Sequence, residues 1–251
     1  MENLLNCAMD IGEQMLLSGA EVHRVEESIK RICRSFGAKR TDVFIITSSM
    51  VVSVFGSDDK TYTQTRRILN SSTDYEKLHK LNELSRKICS EHLCDPKMIK
   101  DELDKAISCK TYPFWLECIC YSVIAGAFTV FFGGGVSEML VSLVIGAIVR
   151  FGIALCETTV TNKIFSKFFS SVIATAFAFL AVKSGFIPNA DNVIIGNIMT
   201  LIPGIGLTNA LRDLFTGDSI AGLLRSIEAI LIALAIAAGY FLVVVLGGLI
   251  L

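Results

Sequence analysis

The sequence predicts an α-helical integral membrane protein with about five transmembrane helices, preceded by an α+β cytosolic domain. Three observations predict it. The 251 residues are 52% hydrophobic and 19% charged, yet most of the charge lies before Lys110. From residue 114 onward, apolar runs reach about 20 residues, the length a helix needs to cross a bilayer core. Between Thr41 and Ile68 a helical period gives way to short runs rich in β-branched and aromatic residues. The expected organisation is a cytosolic α+β domain over 1–113 and a transmembrane domain over 114–251.

Residues 3–17 and 20–36 read as two helices broken at Ser18-Gly19. In the second, Val22, Val25, Ile29, Ile32 and Phe36 share one face, which marks an amphipathic helix packed on a core. His23, Glu27 and Arg31 run down another face at intervals of four, the pattern of a solvated row of ion pairs, with a binding or catalytic face as the rarer alternative. TDVFIIT, MVVSVFG and TYTQTRRI then predict a three-stranded antiparallel meander. Helices resume over Asp74–Glu91 and from Pro96, a residue suited to a first helical turn, to about Ser108.

Several function classes find no support in this stretch. The N-terminus carries Glu2 and no basic run before an apolar core, so it does not read as a signal peptide, and the first domain is expected in the cytosol. The eight cysteines, Cys7, Cys33, Cys89, Cys94, Cys109, Cys118, Cys120 and Cys156, are then expected as reduced thiols. Cys89, His92 and Cys94 fall short of the four ligands of a closed zinc site, and their spacing is no standard knuckle, so neither metal nor other cofactor is expected. With three histidines and no G-x-S-x-G elbow, a membrane-anchored hydrolase lacks a visible nucleophile and base, and the chain is not expected to be an enzyme. A net charge of -1 without a basic stripe gives no reason to expect nucleic acid.

The apolar runs set the spans. The first covers about Phe114–Phe132, the second about Val136–Cys156, the third about Phe165–Phe186; the fourth starts near Asn192 and the fifth runs from about Ser226 to Leu251. Arg150, Lys163, Lys167, Arg212 and Arg225 fall on connections of one side, while GGG and IPNADN on the other hold no basic residue. The positive-inside rule then puts the first domain in the cytoplasm and the C-terminus outside the plasma membrane. Ala229, Ala233 and Ala237 form a small-residue stripe on the fifth span that suits close packing within the chain or against another subunit, including a second copy.

The fourth span is unlike the rest. Val193–Met199 is apolar apart from Asn197, and the run then breaks at Pro203-Gly204 with Gly206 close behind. Proline removes a backbone donor and collides with the preceding turn, so a regular helix does not continue through it. Thr208, Asn209, Arg212, Asp213 and Asp218 follow at once. Unwound backbone in a bilayer persists where protein or a water-filled cavity satisfies it, and discontinuous helices of this kind form transporter binding sites. The plainer alternative is a Pro-kinked span that ends in a capped cytoplasmic turn.

Three patterns carry a resemblance: L-x-S-G-A-E-V-x-R-V-E-E near Leu17 to Glu27, the R-R-I and D-x-x-x-L-x-x-L-N-x-L-S-R run at Arg66–Arg86, and I-P-G-I-x-L-T-N-A-L-R-D-L-x-x-G-D-x-x-x-G-L-x-R at Ile202–Arg225. Together they resemble the threonine/serine exporter family, specifically the YjjP-like N-terminal half of its fused members. The resemblance implies a cytosolic domain with about five spans, export of threonine and serine or, in one branch, succinate, and a smaller YjjB-like membrane partner. It points to Pro203, Gly204, Thr208, Asn209, Arg212, Asp213, Gly217, Asp218, Gly222 and Arg225 as the positions that matter.

Their roles follow from chemistry. Thr208 and Asn209 offer neutral donors and acceptors to a zwitterion or hydroxyl, Arg212 suits a carboxylate, and Asp213 or Asp218 can carry a coupling proton. Glu117, near the start of span one, and Arg150, near the end of span two, lie at similar depth on consecutive antiparallel spans and are candidates for an intramembrane pair, although both could instead snorkel to the headgroups. The expectation is a membrane subunit of a proton-driven exporter of small polar metabolites, threonine or serine first and a C4 dicarboxylate second. The competing expectation is a non-transporting regulatory or assembly subunit whose cytosolic domain senses a metabolite.

Overall fold

The computed structural model describes residues 1–68, 72–108, 112–159 and 162–250, without the side chains of 159 and 248–250. Cys109 therefore lies outside the described residues; the other seven cysteines are free thiols. The chain divides into two compact units, one of Met1–Lys110 with Thr208–Ser226 and one of Thr111–Leu207 with Ile227–Leu251.

The first unit opens with α1 (Glu2–Leu17) and α2 (Val22–Ser35), followed by strands β1 (Arg40–Ile46), β2 (Ser49–Phe55) and β3 (Thr61–Arg67). The strands form an antiparallel sheet in the order β1-β2-β3, with Val43 opposite Val52 and Val52 opposite Gln64. Strict alternation on β2 sends Met50, Val52 and Val54 inward, where they meet Met9, Ile11 and Met15 of α1 and Ile29 and Ile32 of α2 in one core. Helices α3 (Tyr75–Glu91) and α4 (Pro96–Ile107) close that core with Leu81, Ile88, Ile99 and Leu103. Both start on aspartate caps: Asp74 accepts from the Lys77 amide at 2.9 Å and Asp95 from the Lys97 amide at 3.0 Å.

The second unit contains α5 (Phe114–Phe131), α6 (Val136–Thr159), α7 (Lys163–Lys183) and α8 (Asp191–Met199), with α9 (Gly204–Thr216) and α10 (Ser219–Ile250) shared between the units. Four helices, α5, α6, α7 and α10, are long and apolar enough to cross a membrane; α8 and α9, bent by 54° at their break, make a fifth span if counted together. The polarity of this unit is inverted relative to a water-soluble bundle. Thr129, Ser142, Ser170, Ser171, Thr175 and Asn197 are buried, while Leu140, Val144, Phe151 and Leu155 stand exposed along α6. Small polar residues inside and large apolar residues outside is the arrangement that lipid favours.

Besides the residues before the expected boundary at 113, Thr208–Ser226 groups with the first unit, and Ala221 is part of the same core as α1 and α2. The last helix begins at Ser219, ahead of the stretch from about Ser226 read as the fifth span. The alanine stripe also resolves in one direction: Ala229, Ile232, Ile236 and Gly239 face inward on α10, whereas Ala233 and Ala237 are exposed.

Candidate functional site

The interrupted span begins as α8, which is held against α5 and α6 by one glycine and one asparagine. A Cβ on Gly196 would stand 2.8 Å from the Thr129 amide nitrogen and 2.9 Å from the Ala125 carbonyl oxygen, so only glycine permits this approach. One residue on, Asn197 is fully buried and donates through Nδ2 to Ser142 Oγ at 2.8 Å and to its own helix at the Val193 carbonyl, 2.9 Å away. Thr129 Oγ1 in turn donates to Ser142 Oγ at 2.7 Å or to the Ala125 carbonyl at 2.9 Å. Asn197 Oδ1 is left with no hydrogen-bond partner among the described residues. A buried acceptor without a donor costs about 1–3 kcal/mol, which makes this atom a ready receptor for an incoming hydroxyl or ammonium proton.

Helix α8 ends at Met199 and α9 starts at Gly204, with Pro203 just before the new helix, where its missing amide is harmless. Gly206 falls inside α9 and takes no part in the break. Thr208 is exposed and Asn209 half-buried on α9. Arg212 and Asp213 follow further along α9. Asp213 is 1% exposed and its Oδ2 lies 2.9 Å from Arg225 Nη1, while Arg225 Nη2 donates to the Ala20 carbonyl at 3.2 Å. Arg212 Nη1 is 2.7 Å from Glu21 Oε1. The residues that open α2 thus meet the α9–α10 hairpin, which unites two of the sequence patterns.

The hairpin's glycines explain themselves locally. Gly217 turns the chain at φ +97, a left-handed value that side chains resist. At Gly222 a Cβ would lie 2.8 Å from the Leu214 amide nitrogen and 2.9 Å from the Ala210 carbonyl oxygen, so α9 and α10 touch backbone to backbone there. Asp218, between them, is half-buried, and its Oδ2 has no hydrogen-bond partner among the described residues. Burial pushes the neighbouring Glu26 carboxyl up; Asp218 adds to the rise, and Lys30, 3.4 Å from Glu26, opposes it.

Glu117 and Arg150 meet in the second unit. Arg150 Nε donates to Glu117 Oε2 at 2.8 Å, with Nη2 against the same oxygen. Nη1 is 3.8 Å from Glu157 Oε2, and the guanidinium carbon lies 5.2 Å from the Phe114 ring centroid and 5.9 Å from that of Tyr121. The aromatic faces take part of the charge that Glu117 does not.

Sequence reasoning named Asn197 only as an interruption in an apolar run and passed over Thr129 and Ser142. A lone amide in a span that breaks at Pro203 soon after it was the available signal; the two hydroxyls carried none, since serine and threonine are common on packed membrane helices.

The family described as "Putative threonine/serine exporter" matches residues 6–247. The chain belongs to the threonine/serine exporter family. It is 24% identical over 249 residues to "Threonine/serine exporter" of Corynebacterium glutamicum, covering 94% of this chain and 50% of that protein. It is 25% identical over 248 residues to "Probable succinate transporter subunit YjjP" of Klebsiella aerogenes, covering 98% and 93%. It is also 25% identical over 250 residues to "Pheromone-regulated membrane protein 10" of Kluyveromyces lactis, covering 93% of this chain and 25% of that protein. The chain thus spans about half the length of the actinobacterial exporters it matches. No solved structure matches it.

Proposed function

We propose that the chain is the membrane subunit of a secondary, proton-driven exporter of small polar metabolites, threonine or serine first and a C4 dicarboxylate such as succinate second, acting with a YjjB-like membrane partner. The carrying observation is the interrupted span with Asn197 buried on its N-terminal half. Its bare Oδ1, backed by Ser142 and Thr129, offers an acceptor inside an apolar bundle where a substrate hydroxyl or ammonium gains most from one hydrogen bond. Asp213, buried beside the Arg225 guanidinium, is the carboxyl assigned to the coupling proton, while Arg212 pairs with Glu21. Thr208, Asn209 and Asp218 line the same segment and complete the proposed coupling region. The N-terminal residues lie in the cytoplasm in this reading, on the basic-residue asymmetry of the connections.

The test is efflux of threonine, serine and succinate from cells loaded with dipeptide or dicarboxylate, with and without the partner. Asn197→Ala is expected to lower efflux at least tenfold, and Asp213→Asn to abolish it, with membrane insertion of both unchanged. Parent-level efflux by Asn197→Ala at matched expression would remove the interrupted span from substrate contact; the same result for Asp213→Asn would remove that carboxyl from coupling.

A further inference from the structure

We propose that the groove between α2 and α3 is a binding site for a small organic dianion, a dicarboxylate or a phosphate ester, separate from the transport path. Arg24, Glu27 and Arg31 of α2 face Asn82 and Arg86 of α3 around a cavity of about 350 Å³. Apart from Cys89, every side chain lining it is polar or charged. An adjoining hollow of about 280 Å³ shares Arg24, Asn82 and Arg86 and adds His79. The volume suits a metabolite, and the lining excludes an apolar ligand, which would strand these groups without water.

Charge decides the ligand's sign. Glu27 is taken by Arg31, one turn along α2, and Glu83 lies 3.7 Å from His79. Arg24 and Arg86 have no carboxylate partner among the described residues, yet both line both hollows. Two uncompensated guanidinium groups on facing helices repel each other, and an anion between them removes that repulsion while accepting paired N–H bonds from each planar fork. Two forks match two carboxylates, or the oxygens of one phosphate. A zwitterion fits less well, since the one carboxylate on the cavity wall is already occupied. The groove lies in the first unit and shares no residue with the Asn197 network, so it does not depend on the transport reading.

The test uses the purified full chain in detergent micelles, titrated calorimetrically in a low-salt, phosphate-free buffer with succinate and, separately, with inorganic phosphate. Saturable binding of at least one anion is expected. Arg24→Gln and Arg86→Gln should each weaken it by about tenfold or more, the loss of one charge-assisted fork. Arg24→Lys should recover only part, because an ammonium keeps the charge without the bidentate geometry. Arg34→Gln, an exposed arginine of α2 outside the cavity, should bind as the parent does, and in Asn197→Ala the binding component that Arg24→Gln and Arg86→Gln remove should persist. Which anion binds assigns the site to carboxylates or to phosphate esters. No saturable binding of either, parent-like binding by both glutamine variants, or loss of binding in Asn197→Ala alone would each overturn the proposal; circular dichroism of the variants separates lost binding from lost folding.

Discussion

At the residue scale the Asp213–Arg225 contact makes the sharpest demand. Asp213 is almost fully shielded from water and Arg225 is half-buried. Removing the cation leaves a buried carboxylate alone, and losses on the order of 3 kcal/mol are typical of that situation, whereas neutralising both partners costs far less. Arg225→Gln is therefore expected to lower the thermal unfolding temperature strongly, Asp213→Asn mildly, and the double variant less than Arg225→Gln alone. Additive shifts would mean that the two side chains do not act on each other. The thiols provide a second test at this scale. Burial pushes the Cys33 thiol up to about 12, while Cys94 is exposed. A maleimide at neutral pH should label Cys94 in the folded chain and Cys33 only after denaturation, as peptide mapping would show; equal labelling of both in the folded chain would contradict the burial of Cys33 on α2.

At the scale of elements, the periodicities of the N-terminal third carried the helices and the meander to within a few residues, because each element there has one buried face and one wet face. Met50, Val52 and Val54 alternate so strictly that only a strand accommodates them. The membrane helices were legible as runs but not as faces. Every side of α6 is apolar, so nothing in its pattern says that Ser142 turns inward and Val144 outward. The α9–α10 hairpin was least legible, since its docking on the start of α2 joins residues some two hundred positions apart, and Arg225 reads as a span boundary until Asp213 and the Ala20 carbonyl are found beside it. Glu117 and Arg150, in contrast, lie on consecutive helices of known rise, and their similar depth left pairing or snorkelling to the headgroups as the two readings. Glu117→Gln and Arg150→Gln should each reduce the yield of folded chain, and the charge-swapped double variant should restore part of it. The restoration is expected to be incomplete, because a glutamate in place of Arg150 would face the Phe114 and Tyr121 rings that now attract a cation. Two independent, additive defects would show that this pair contributes nothing as a pair.

At the scale of the whole molecule, the hairpin constrains topology in a way the hydropathy pattern does not. In the proposed topology Thr208–Ser226 lies on the same side of the bilayer as Met1–Lys110, with which it groups. The fourth crossing is then left to the stretch from Asp191 to Leu207, about 25 Å long even if it were one continuous helix at ~1.5 Å per residue, against a hydrocarbon core of ~30 Å. With α8 and α9 bent by 54° it is shorter still. A short, interrupted crossing requires either a locally thinned bilayer or water reaching inward, and the second supplies the access that a transported polar solute needs. Single cysteines placed in a background stripped of native cysteines test this directly. Asn189, between α7 and α8, should react with a membrane-impermeant thiol reagent added outside intact cells, while Lys163 and Thr216 should react only after the membrane is permeabilised. Labelling of Lys163 but not Asn189 would invert the orientation. Labelling of Thr216 together with Asn189 from outside, with Lys163 protected, would place the hairpin on the far side from the Lys163 connection and break the link between the N-terminal residues and the cytoplasm. Cysteines at Asn197 and Ser142 complete the series: if water enters at the break, an impermeant reagent reaches Asn197 at a rate that added substrate slows, and an apolar, sealed bundle would leave it unreactive from either side.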